Sequence, residues 1–281
     1  MKQKFAVIGH PIGHSMSPYI HKKLFELSNI DCDYCTIDIA PENLKTSINE
    51  LSQLSGFNVT IPHKESIIPL LNDIDDSAKK YNAVNCVKTT NGKLYGCSTD
   101  AYGFSKALET ESVRLCGKVL ILGCGGAAKT IAREAASYGC EITIAVLESD
   151  LPKASLLCEQ LETIGAKACA TEITNASGEF NLLVNATPCG MYPNVNTIAN
   201  INIECIKNCK TVFDIVYNPA ETLLIKTAKK YGIKTIGGMA MLVWQAVKAH
   251  EFWYNGKFEN DNIKQIITDA NEEMVRMFYE K

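Results

Sequence analysis

Apolar and polar positions along this chain alternate between a strand period and a helix period. "KFAVIGH", residues 4–10, is a buried-strand run, and "SPYIHKKLFELSNI" follows it with Ile20, Leu24 and Leu27 on one helical face. Ser17, standing just before Pro18, is the expected N-cap of that helix. "YCTIDI" predicts a second strand, "PENLKTSINELS" a helix and "GFNVTI" a third strand. Two strand-like runs flank Asn91-Gly92, a strong hairpin signal, so the first sheet should contain an antiparallel element. A new unit begins near Gly117, where "KVLILGCGGAAKTIAREAASYGCEITIAVLE" reads as strand, glycine turn, helix, strand. "FNLLVNAT", "TVFDIVY" and "IKTIGG" are further strands, with a helix over "ETLLIKTAKKYG". Strands alternating with amphipathic helices predict an α/β architecture with largely parallel sheets. Two helical stretches, "MAMLVWQAVKAHEFWYNG" and "ENDNIKQIITDANEEMVRMFYEK", close the chain with no strand left to join. They are expected to pack back on the first unit. That makes the unit discontinuous, 1–101 with 239–281, around a second unit over 102–238.

Composition narrows the function classes. A chain of 281 residues favours two domains. Its net charge of −3 gives no basic footprint for nucleic acid. No run of ~18 apolar residues is present to span a membrane. The apolar stretch in "MKQKFAVIGHP" is too short for a signal peptide, so a cytoplasmic protein is expected. Twelve cysteines change little, because most sit inside apolar strand or helix patterns, as Cys86, Cys140 and Cys158 do. Cys32 and Cys35 form one Cys-x-x-Cys pair, with no second pair at zinc spacing and no helix directly after it. His10 and His14 are four apart, but "PIG" between them prevents the helix that would aim both at one ion. No metal site is expected.

"LILGCGGAAKT" fits Gly-x-Gly-x-x-Ala, with Gly123, Gly125 and Ala128 placed after a buried strand and opening a helix. The first glycine permits the tight turn, the second lets backbone approach a pyrophosphate, and the small third residue allows close helix–strand packing. The helix N-terminus is then free to bind phosphates. Glu148 stands about 20 residues further on, where an acid commonly bonds the ribose 2′-hydroxyl of NAD. A 2′-phosphate would want arginine. The chain has only Arg114, Arg133 and Arg276, none in this loop, and Lys153 is a weak substitute.

Polar residues also recur around the strands of the first unit. "GHPIGHSMSP" places Ser15 and Ser17 at a helix N-terminus, where hydroxyls and free N–H groups suit a carboxylate. "NVTIPHKE" supplies Asn58, Thr60 and Lys64, "NAVNC" adds Asn85, and "CSTDAYG" adds Thr99 and Asp100. Ligands of open α/β sheets bind beyond the carboxyl ends of strands, where these clusters are expected to lie. Within "PHK", His63 is expected to turn towards a helix surface and Lys64 to face the ligand.

The ordered set "GHPIGHSMSP", "NVTIPHKE", "NAVN", "STDAYG", "GCGGAA", "NATPCGM", "FDIVYNP" and "GGMAMLVWQA" runs nearly end to end, and it resembles the shikimate dehydrogenase family with its quinate/shikimate relatives. The resemblance implies a discontinuous N-terminal substrate-binding α/β domain and a Rossmann-type dinucleotide-binding domain, with the active site in the cleft between them. It implies reversible reduction of 3-dehydroshikimate to shikimate with a nicotinamide cofactor, in aromatic amino-acid (chorismate) biosynthesis. The small-molecule substrate would be the partner, with no nucleic acid or membrane involved and the chain a monomer or homodimer. Carried over by motif, Lys64 and Asp100 would be the catalytic pair. Ser15, Ser17 and Tyr217 would hold the substrate carboxylate, and Thr60, Asn85 and Gln245 the carboxylate or ring hydroxyls. Gly123, Cys124, Gly125, Gly126 and Ala127 would cradle the pyrophosphate, with Thr187, Pro188, Ile215 and Gly238 lining the nicotinamide side.

Two departures stand out. The family's usual Asn-Thr-Asp-Gly reads Ser98-Thr99-Asp100-Ala101, which puts local turn geometry in question. The Asn-Arg-Thr that grips a 2′-phosphate in NADP-dependent members is replaced by Val146, Leu147 and Glu148. The family points to NADP and the local chemistry leans to NAD, because carboxylate and phosphate repel. The rival readings are a quinate or dual quinate/shikimate dehydrogenase using NAD and, more remotely, a non-catalytic nucleotide- or metabolite-binding protein on the same scaffold.

Overall fold

A computed structural model of the chain describes residues 2–13 and 15–280, so the His14 half of the excluded histidine pair lies outside the described residues. The chain divides into two compact units, Met1–Gly103 with Val243–Glu272, and Phe104–Leu242 with Glu273–Lys281. In the first unit the elements run β1 (Gln3–Gly9), α1 (Ser17–Leu27), β2 (Cys32–Asp38), α2 (Leu44–Leu51), β3 (Gly56–Val59), β4 (Asp73–Ile74), α3 (Asp76–Tyr81), β5 (Cys86–Thr90) and β6 (Lys93–Cys97). Helix α4 (Asp100–Thr110) leads out of it. The second unit continues with β7 (Lys118–Leu122), α5 (Gly126–Ser137), β8 (Glu141–Val146), α6 (Leu151–Glu162), β9 (Lys167–Glu172), β10 (Phe180–Asn185), α7 (Ile203–Lys207), β11 (Cys209–Asp214), α8 (Leu223–Lys230) and β12 (Lys234–Ile236). Helices α9 (Gly238–Tyr254) and α10 (Asn260–Tyr279) complete the chain.

The first sheet has the order β2-β1-β3-β5-β6-β4. The interior strand β1 pairs in parallel with both β2 and β3. Burial on both faces explains why Phe5 to Ile8 read as a continuous apolar run rather than an alternating one. The β5–β6 hairpin is antiparallel, and Asn91 and Gly92 at its tip both take positive φ, 52° and 72°, the conformation that favours this dipeptide. Trp253 of α9 closes one face of the unit. Its Nε1 donates to the Val87 carbonyl at 2.9 Å, and a Cβ on Gly56 would stand 2.6 Å from that nitrogen. Gly56 is therefore small because the indole lies over it.

Helix α1 differs from expectation in two ways. Met16, not Ser17, holds the cap position, and no side chain caps the helix; the Ser17 N–H already donates to Ser15 Oγ at 3.2 Å. Leu27 is 44% exposed, whereas His21 and Phe25 complete the buried face with Ile20 and Leu24.

The second sheet is wholly parallel in the order β12-β11-β10-β7-β8-β9. The chain leaves β7 towards β8 on one side and returns to β10 on the other, so a topological switch point lies between β7 and β10. The edge strand β9 and helices α3, α4, α6 and α7 were not among the sequence-derived elements. No residue of the "KACATE" of β9 is buried, in keeping with its weak apolar pattern. Among the described residues no helix is long and apolar enough to cross a membrane, and no group of three metal-ligating side chains converges.

Candidate active site

Antiparallel pairing gathers the polar clusters of the first unit. Strands β1 and β3 are parallel neighbours, so the loops after them, carrying Ser15 and Ser17, and Thr60 and Lys64, leave from one end of the sheet. Asn58 of β3 pairs with Cys86, and Cys86 pairs with Cys97. Asn85, at the start of β5, and Thr99 and Asp100, after β6, therefore come to that same end. This refines the expectation for Asn85: it precedes its strand, and the reversal of β5 carries it to the carboxyl end of β3.

At the centre, Lys64 Nζ donates to Asp100 Oδ2 at 2.6 Å, with side-chain exposures of 21% and 4%. The buried Asn85 organises this pair. Its Oδ1 accepts from the Thr99 N–H at 2.7 Å, which fixes the amide orientation. Its Nδ2 then lies 2.9 Å from Thr99 Oγ1, 2.8 Å from Asp100 Oδ1 and 3.1 Å from Gln245 Oε1. Two amide protons face three acceptors, so a ligand taking over Gln245 leaves the Asn85–Asp100 bond intact. Asp100 is also the first residue of α4, where the helix N-terminus favours a carboxylate. Ala101 lies in that first turn, buried and without positive φ, so the loss of the family's glycine imposes no backbone strain. The Lys64 carbonyl accepts from the Val84 N–H at 2.8 Å and the Thr60 N–H donates to Ile8 at 2.9 Å, so this loop is tied to both neighbours. Ser15, Ser17 and Thr60 are half-buried.

Two further features were not read correctly from the sequence. His63 does not face a helix surface: it is fully buried, and its Nε2–H donates to the Ile39 carbonyl at 2.6 Å. The chain forms turns after Pro62 rather than a helix, and these rotate His63 inward and leave Lys64 facing Asp100. Tyr34 was missed altogether. Its hydroxyl donates to Asn58 Oδ1 at 2.8 Å while Asn58 Nδ2 donates to the Asn85 carbonyl at 3.2 Å, so Asn58 is held from both sides.

In the second unit the glycine loop follows β7. Gly123 has φ of 99°, and a Cβ there would meet Thr187 Cγ2 at 3.1 Å. Gly125 caps α5, and a Cβ on Gly125 or Gly126 would meet nothing within 4 Å. The N-terminus of α5 thus opens on free space. That space fits a pyrophosphate, which the exposed N–H groups and helix dipole would hold. Burial pushes the Cys124 thiol up, so this loop residue adds no negative charge at neutral pH. Glu148 stands exposed just past β8, and Lys153 is engaged by Asp150 at 2.9 Å. Thr187 and Pro188 follow β10 across the switch point, and Ile215 and the half-buried Tyr217 follow β11. A Cβ on Gly238 would stand 2.1 Å from the Ile215 carbonyl oxygen, so only glycine fits there.

Sequence reasoning also passed over Asn185, Asp214 and Thr222. Asp214 is fully buried and accepts from Asn185 Nδ2 at 2.9 Å, the Val216 N–H at 3.0 Å and Thr222 Oγ1 at 2.6 Å. Burial raises its carboxyl to about 6, partly offset by these three bonds. The available signal was positional: Asn185 and Asp214 each end the apolar run of a central parallel strand.

Residues 7–87 match the family model of the shikimate dehydrogenase substrate binding domain. A shikimate dehydrogenase (NADP(+)) of Methanococcus maripaludis is 38% identical over 261 residues, covering 89% of this chain and 91% of that relative. The crystal structure of a Thermus thermophilus shikimate 5-dehydrogenase with NADP(H) and shikimate superposes with a TM-score of 0.85 at 30% identity, covering 95% of this chain and 99% of that one. A Listeria monocytogenes shikimate 5-dehydrogenase in complex with shikimate and NAD gives a TM-score of 0.85 at 30% identity, over 95% and 96% of the two chains. With two units of matching architecture and relatives this similar over nearly its whole length, the chain belongs to the shikimate dehydrogenase family.

Proposed function

We propose that the chain catalyses the reversible reduction of 3-dehydroshikimate to shikimate. The observation that carries this reading is the Lys64–Asp100 pair, 2.6 Å apart and organised by Asn85. A bound nicotinamide dinucleotide supplies the hydride in reduction and takes it up in the reverse direction. Hydride addition to the ketone carbon leaves charge on oxygen; the Lys64 ammonium stabilises that charge and gives up a proton to it. Asp100 holds Lys64 and a substrate hydroxyl in place. Ser15 and Ser17, with Tyr217, bind the substrate carboxylate, and Thr60, Asn85 and Gln245 bind carboxylate or ring hydroxyls. Gly123 to Ala127 cradle the pyrophosphate, and Thr187, Pro188, Ile215 and Gly238 line the nicotinamide side.

For the dinucleotide, the local chemistry favours NAD, although curated relatives carry NADP(+) in their names. Glu148 is exposed just past β8, where an acid would suit a ribose 2′-hydroxyl, Lys153 is taken by Asp150, and Val146-Leu147 offers no guanidinium. A 2′-phosphate there would meet a carboxylate. A two-by-two assay, shikimate or quinate with NADP or NAD, tests both parts. Turnover of shikimate with NAD is expected; a large preference for NADPH over NADH in kcat/KM overturns the cofactor assignment, and faster turnover of quinate overturns the substrate.

A further inference from the structure

Three buried groups in the second unit form one hydrogen-bond tree that the reaction does not use. Its root is Asp214, 0% exposed, with three donors and no cation among its hydrogen-bond partners. One branch runs through Asn185, 1% exposed, whose Nδ2 is held by Asp214 at 2.9 Å and by the Cys189 carbonyl at 3.3 Å. With both amide protons used, Asn185 Oδ1 must point at Thr187, and it accepts from the Thr187 N–H at 3.1 Å and hydroxyl at 2.6 Å. Thr187 Oγ1 accepts in turn from the Cys189 N–H at 3.2 Å. The second branch fixes Val216, and the Val216 carbonyl receives the Gly238 N–H at 3.3 Å. The third fixes Thr222, whose Oγ1 caps α8 by accepting from the Ile225 N–H at 3.2 Å. The loops after β10 and β11 are thus hung from one carboxylate, and Thr187 also lies against Gly123.

We propose that Asp214 is a positioning residue for dinucleotide binding: acting through Asn185, it sets the place of Thr187 and Pro188 beside the glycine loop. The inference rests on the reading that these residues border the cofactor. Hydrogen bonding, not charge, is what the site requires of residue 214. An Asn there keeps an oxygen for Val216 and Asn185 and turns its amide to Thr222, whose hydroxyl accepts as readily as it donates. An Ala removes the acceptor of one Asn185 amide proton, of the Val216 N–H and of the Thr222 hydroxyl.

The test is calorimetric titration of NAD and of NADP into the parent chain, Asp214→Ala, Asp214→Asn and Asn185→Ala, beside steady-state KM values. Asp214→Ala and Asn185→Ala are expected to weaken binding of the preferred dinucleotide roughly tenfold, and Asp214→Asn to stay within about threefold of the parent. The shikimate KM is expected to stay within about twofold in all three, which general loosening of the fold would not produce. Equal dinucleotide affinity in the parent and both alanine variants overturns the proposal, as does an Asp214→Asn variant as weak as Asp214→Ala. Should Asp214→Ala fail to fold, Asn185→Ala decides, because it leaves Asp214, Val216 and Thr222 in place. A parent that binds neither dinucleotide would instead overturn the underlying reading.

Discussion

Two adjacent residues, His63 and Lys64, show what a single position can and cannot reveal. Histidine is the usual acid–base group near neutral pH, yet here it is sealed in and spends its Nε2–H on a backbone carbonyl. Lysine, half-buried, carries the charge and meets Asp100. Replacing Lys64 with Ala is expected to cut kcat by ~10²-fold or more with little change in shikimate KM, since proton donation acts in the transition state. Steady-state kinetics checks it, and near-normal turnover would remove Lys64 from the mechanism. Lys64 and Asp100 were legible from their motifs. The bond between Asn185 and Asp214 was not, because it joins two strands that sequence does not place side by side.

At the scale of elements, the loops after β7, β10 and β11 are set by close approaches of backbone. Gly238→Ala would drive a Cβ into the Ile215 carbonyl, and a loss of ~2 kcal/mol or more is expected in urea unfolding. Gly125→Ala meets open space in the protein and should leave stability within about 0.5 kcal/mol, while weakening dinucleotide binding where its methyl intrudes on the pyrophosphate. Comparing melts with titrations separates the two effects. The βαβ unit and the hairpin were read directly, since each is local and carries its own glycine or Asn-Gly signal. The antiparallel turn-back of β5 is what moved Asn85 to the end of the sheet that carries Lys64.

Across the whole molecule, buried titratable groups make stability depend on pH in opposite directions. Burial lowers His21 to about 3, and His250, 2.9 Å away, is also held neutral by burial and by His21. A depressed histidine stabilises fully above its ordinary value, and that contribution is lost as pH falls towards about 3. The His21 ring resonances should therefore keep neutral-imidazole shifts at pH 5; titration near 6.5 would refute this assignment. Asp214 works the other way. Its raised carboxyl favours the folded state at low pH, and this is lost as pH rises through about 6. The Tm advantage of Asp214→Asn over the parent should accordingly grow between pH 4 and about 7, then level off. By itself the sequence determined the α/β class, the βαβ unit with its glycine turn and the Asn-Gly hairpin, because periodicity and turn chemistry act over a few residues. Tertiary structure alone decided that His63 is buried, that Asn85 joins Lys64 and Asp100, and that Asp214 anchors two loops. Those outcomes depend on which strands lie side by side and in which direction they run.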